Sequence, residues 1–211
     1  MSTASSPQVI QESDVDLSGP PSGLARFLLA PRGVVLSFVW GFAEATLFFV
    51  VPDVLLSLVS IFSVKRVWVH IAAAIAGAAV GGAVMFSWAQ TNPDSAIATV
   101  RKVPFVTDQM FIHVDAGFQK SGMLAVYVGP MTGTPYKIYA VAAPKFVSFA
   151  SFVLATIPAR GWRFILVSLL SAACAGVLRK YWNKNLRQLI RFYALAWTAF
   201  YILYWTRIAM N

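Results

Sequence analysis

Carboxylates are scarce in this 211-residue chain: eight Asp and Glu in all, and none after Asp115. Charged residues of either sign make up 12%, about half the roughly 25% usual for a soluble domain. Too few charges remain to cover a water-facing globule. Cysteine is almost absent. Cys174 stands alone, so no intramolecular disulfide can form. Inside an apolar segment it reads as a small buried hydrophobe. The two histidines, His70 and His113, are isolated, and HExxH, GxSxG and CxxC are all missing. An enzyme would lack a recognisable centre, and nothing points to a cofactor. His113 and Asp115 make two ligands without a third, which reads as solvated loop rather than metal site.

What the chain does hold is apolar. It is 58% hydrophobic with a mean hydropathy of +0.68, which excludes an intrinsically disordered chain. Lys and Arg number 17 and the pI is near 10.0. Those bases lie between apolar runs, so they suit membrane topology and anionic lipid headgroups better than nucleic acid. The composition predicts an all-α polytopic membrane protein with one membrane domain over residues 25–211. Residues 1–24, rich in Ser, Pro, Asp and Glu, read as a disordered tail rather than a signal peptide.

The apolar run 34–62 is interrupted by Glu44, Pro52 and Asp53. A single spanning helix would place a carboxylate and a proline near the bilayer centre, where a charge costs roughly 2.5–3.5 kcal/mol. Two short helices meeting at residues 51–53 avoid this, forming a re-entrant hairpin with a polar tip. The alternative is a kinked span with a buried, neutral Glu44. Residues 122–143 repeat the pattern around Gly129, Pro130, Gly133 and Pro135, with Lys137 beyond the break. This predicts a second re-entrant hairpin, basic where the first is acidic.

Spanning helices are expected over 67–90, 161–178 and 192–209, about three in all. His70, on the first turn of the first of these, reads as packed or interfacial. Ala73, Gly77 and Gly81 fall at four-residue intervals and predict a packing groove for another helix. Residues 91–121 read as a surface connection with short amphipathic helices. Residues 144–159 read as a separate helix along the membrane, and 179–191 as a basic loop.

If each hairpin returns to the face it enters, one membrane face receives Arg26, Arg32, Lys65, Arg66, Arg179, Lys180, Lys184, Arg187 and Arg191. The other receives Arg101, Lys102, Lys120, Lys145, Arg160, Arg163 and Arg207. The first is the expected cytoplasmic face. The hairpins then enter from opposite sides, the logic of an inverted repeat with a midplane site.

The residues Glu44-Ala45-Thr46 with Pro52-Asp53-Val54-Leu55-Leu56 resemble the first hairpin of the DedA family, also called the VTT-domain or SNARE-associated Golgi protein superfamily. Residues 133–140 and 157–164 resemble its YqaA-like branch. The resemblance covers roughly residues 33–178. It implies inverted re-entrant hairpins and a role in lipid scrambling, flipping or proton-linked membrane homeostasis. It implies functional carboxylates at Glu44 and Asp53 and a functional base at Lys137. The family's common pair of arginines in the second hairpin is absent, and Arg160 and Arg163 could supply that charge from further along the chain.

The expected function is therefore movement of phosphate-bearing lipid headgroups past Glu44, Asp53, Lys137, Arg160 and Arg163, with possible proton coupling, in a bacterial inner membrane. The expected partners are membrane lipids with anionic headgroups, and homo-oligomerisation stays open. The alternative function is a non-transporting membrane scaffold. It would use the Gly77/Gly81 groove and the 179–191 loop. Glu44 and Lys137 neutralising one another as a structural pair is the alternative role for those two residues.

Overall fold

The computed structural model describes residues 23–129, 133–182 and 186–209, without side-chain detail at 182 and 207–209. These residues are all-helical, with no strand among them. Gly23 and Leu24, expected in the tail, instead open α1 (Gly23–Leu29), and residues 1–22 lie outside the described residues. Pro31 sets the next corner. A residue before proline is pushed out of the helical region, and Ala30 is extended (φ −82°, ψ 166°). Pro31 then starts α2 (Pro31–Thr46), bent by 72° from α1.

α2 ends where the Thr46 hydroxyl donates to the Phe42 and Ala43 carbonyls (3.1 and 2.9 Å), competing with the backbone ladder. After residues 47–52, α3 (Asp53–Phe62) begins with a carboxylate in its first turn, the stabilising end for a negative charge. Extended Ser63 turns the chain directly into α4 (Val64–Thr91), and its hydroxyl caps the Arg66 amide at 3.3 Å.

α4 is the central helix. Gly41, Gly77 and Gly81 put its backbone against that of α2. A Cβ on Gly77 would strike the Phe38 carbonyl, and one on Gly41 the Ala74 carbonyl. The groove of small residues is thus filled by the chain's own α2. Asn92 caps the Ser95 amide (3.1 Å) at the start of α5 (Pro93–Arg101). α6 (Asp108–Ser121) stops at Gly122, whose φ of +54° a side chain would strain. The short α7 (Leu124–Val128) and α8 (Tyr136–Ala142) flank the second break, of which residues 130–132 lie outside the described residues. α9 (Phe149–Trp182) and α10 (Leu186–Ala209) complete the chain.

Two helices, α4 and α9, are long and apolar enough to cross a membrane, or three if the bent pair α1–α2 makes one span. α10 has the length, but it is not among the helices apolar enough to cross. Tyr193, Trp197, Tyr201, Tyr204 and Trp205 dilute its apolarity, so length and composition do not by themselves mark the expected span over 192–209. The expected separate helices over 144–159 and 161–178 are one, α9, running through Pro158. Pro158 lies on an exposed face, so its ring and missing N–H interrupt the helix without disturbing the packed side. The basic loop expected over 179–191 is mostly helical: Arg179 and Lys180 end α9, while Arg187 and Arg191 lie on α10. Cys174 is exposed on α9, not buried, because that apolar face points outward.

α4 and α9 run antiparallel. Phe86, towards the end of α4, meets Phe149 and Phe152 at the start of α9 (5.6 and 5.5 Å). At the opposite end Arg179 donates to the Ile61 carbonyl at 3.0 Å. Two apolar clusters result. One gathers Phe86, Phe118, Tyr136, Tyr139, Phe152, Ala45 and Ala159. The other gathers Leu28, Leu55, Leu56, Val67, Ile71 and Phe164. The residues between Ala45 and Leu55, and between Ala159 and Phe164, sit at their junction.

Candidate functional site

The break between α2 and α3 exposes backbone groups that no helix bonds, and in an apolar setting each must find a partner. Side chains from elsewhere supply them. Trp40 donates to the Val50 carbonyl (3.0 Å), the Val51 amide donates to the Tyr201 hydroxyl (3.1 Å), and Lys137 Nζ donates to the Phe48 carbonyl (3.1 Å). Lys137 is 2% exposed. It rises from the first turn of α8, beyond the second break, so it ties one broken segment to the other.

Arg160 and Arg163, three residues apart, share one face of α9 and reach both carboxylates of the first break. Arg160 forms an ion pair with Glu44, and both are buried. Arg163 Nη2 lies 2.7 Å from Asp53 Oδ2. The Arg160 guanidinium stacks over Tyr136 and Phe164, 4.9 and 5.2 Å from the ring centroids, a geometry that favours a planar cation over an ammonium. Tyr136 is in turn fixed by Thr156 at 2.5 Å.

All five residues expected at the site, Glu44, Asp53, Lys137, Arg160 and Arg163, line one cavity of about 310 Å³. Lys137 has no carboxylate partner among the described residues, so Glu44 is neutralised by Arg160 and not by Lys137. Three cations against two carboxylates leave one positive charge in excess. Asp53 Oδ1, Arg160 Nε and Arg163 Nε are buried without a hydrogen-bond partner among the described residues, a costly condition in an apolar interior.

Arg160, buried against Glu44, and Arg163, partly buried against Asp53, point to the cavity and not to the membrane face expected for them. The seven bases of that face become five, against nine on the other.

α10 adds four side chains that were not among the expected site residues. Tyr193 bonds the Val54 carbonyl, Trp197 donates to Ser57 (3.3 Å), Tyr201 accepts from Val51 (3.1 Å) and Tyr204 donates to the Gly133 carbonyl (2.8 Å). Their spacing of four, four and three was the available signal: it places four polar aromatic tips on one helical face. His70 is packed, as one expected reading had it, with Nδ1 2.8 Å from the Ser37 hydroxyl. Asp115 is ion-paired with Lys145 (3.2 Å), and among the described residues no cluster of three or more His, Cys, Asp and Glu could hold a metal.

No protein-family model matches the chain, and neither a curated protein nor a solved structure does.

Proposed function

We propose that the protein moves phosphate-bearing lipid headgroups across a membrane, as a scramblase, flippase or proton-linked transporter. One observation carries this reading: three cations and two carboxylates, drawn from two helix breaks and α9, line a single cavity. A resting ion pair can exchange a carboxylate for a phosphate oxygen at the same guanidinium. The excess positive charge favours an anion. The two breaks would be re-entrant tips, opened from opposite faces, through which a head crosses while its chains stay in hydrocarbon. The resemblance to the DedA family agrees with this reading. A bacterial inner membrane is the proposed location, with the nine-base end cytoplasmic.

The scaffold reading loses its docking groove, since α2 occupies Gly77 and Gly81. The test is reconstitution of purified protein in liposomes carrying a fluorescent phospholipid, with Glu44→Gln and Lys137→Met compared with wild type. Faster equilibration than in empty liposomes, slowed in both variants, is expected. Wild-type rates in both variants would refute the site, and no flux in wild type would refute transport.

A further inference from the structure

The cavity has two unlike walls. The charged wall holds Arg160, Arg163 and Lys137. The other holds aromatic rings from three separate segments: Phe49 of the first break, Phe105 between α5 and α6, and Trp197, Phe200, Tyr204 and Trp205 of α10. Tyr201, also at the cavity, joins these rings into one surface, at 5.9 Å from Trp197, 5.6 Å from Phe200 and 5.1 Å from Trp205. Phe105 and Trp205 stack at 4.9 Å and 8°, and Phe49 touches both, at 6.3 and 6.0 Å. Phe105 is held at φ +67°, the only non-glycine residue at positive φ among those described. Such a backbone state persists only where its surroundings enforce it. The wall is also open outward: Phe49, Phe105 and Phe200 are 39%, 36% and 51% exposed.

Resting on the headgroup reading above, we infer that this aromatic wall is a binding subsite for the hydrocarbon chain of the same ligand. The ligand class is then an amphiphile with one small anionic head and an alkyl tail. A volume of 310 Å³ lies at the low end of ligand pockets, roughly 300–1,000 Å³. It takes a head and the first carbons of a chain, so the rest must leave past the exposed rings. An aromatic lining beside three cations selects against a ligand polar at both ends, because its second polar end would be desolvated without partners. α10 is suited to carry this wall, since the four polar tips described above fix its inner face while Phe200 turns its ring to the opening.

The test is a chain-length series: inorganic phosphate, then butyl, hexyl and octyl phosphate, titrated calorimetrically onto the full chain in phosphatidylcholine nanodiscs, with octanol as uncharged control. Affinity should rise about two- to fourfold per added methylene. The variant Phe49→Ala/Trp205→Ala should flatten that rise while binding inorganic phosphate as wild type does. Because that variant can fail to fold, 8-bromooctyl phosphate provides a second reading. It should quench tryptophan fluorescence in wild type and quench less in Trp205→Phe, which keeps the ring stack. A flat series in wild type with phosphate still bound overturns the tail subsite and leaves the headgroup reading standing. No binding of any phosphate overturns the headgroup reading and this inference with it. Octanol binding as tightly as octyl phosphate overturns the coupling of head to tail.

Discussion

Replacing Arg160 with Met should destabilise the protein far more than replacing Arg160 and Glu44 together. Arg160 is 1% exposed and Glu44 4%. Removing one member of a buried pair strands the other charge, at a cost of about 3–5 kcal/mol. The stacks of Arg160 on Tyr136 and Phe164 add to the loss, at about 0.5–2 kcal/mol for each desolvated cation–π contact. Met fills most of the vacated volume, so little of the effect is cavity formation. In Glu44→Gln/Arg160→Met no charge is left stranded, and exchanging a buried pair for neutral groups is often near neutral. The coupling energy of the cycle should therefore exceed about 2 kcal/mol. Unfolding in mixed micelles of rising sodium dodecyl sulfate fraction, followed by tryptophan fluorescence, measures it. Transport gives an independent readout, since the double variant should be stable yet inactive. Additive losses, with the double variant less stable than Arg160→Met alone, would refute the reasoning.

Lys137→Met removes a charge-assisted bond to the Phe48 carbonyl and should cost about 1.5–3 kcal/mol in the same unfolding assay. Tyr201→Phe leaves the Val51 amide without its acceptor, and hydrogen exchange at that amide should quicken roughly ten- to hundredfold, equivalent to about 1–3 kcal/mol of lost protection. Gly77→Leu drives a side chain into the Phe38 carbonyl. It should destabilise by at least about 1–3 kcal/mol, the usual range for overpacking, read as a lower unfolding midpoint. Gly176→Leu, where an added Cβ meets nothing, should leave the midpoint unchanged.

The helical class was legible because few charges and long apolar runs leave little else. The first break was legible too, since Glu44, Pro52 and Asp53 violate the rules for an unbroken span. The five charged residues could be singled out because charge inside an apolar run is costly and needs a reason. Their pairing could not be read. Glu44 and Arg160 lie 116 positions apart, and nothing local says which base answers which acid. Pro158 misled, because a proline reads as a stop unless it is known to face away from the packed side. The α10 contacts were hidden by chemistry that serves two purposes: Tyr and Trp mark a membrane interface, and the same side chains can bond a broken backbone.

The proposed function requires the two helix breaks to enclose one hydrated, charged cavity reached from opposite faces. The most direct measurement is substituted-cysteine labelling in sealed, oriented vesicles, in a Cys174→Ser background that removes the exposed native thiol. Val51→Cys and Thr134→Cys, both at the cavity wall, should each react with a membrane-impermeant thiol reagent, from opposite sides, and phosphate should slow both reactions. Two unreactive thiols, or two that react only from the same side, would contradict the account.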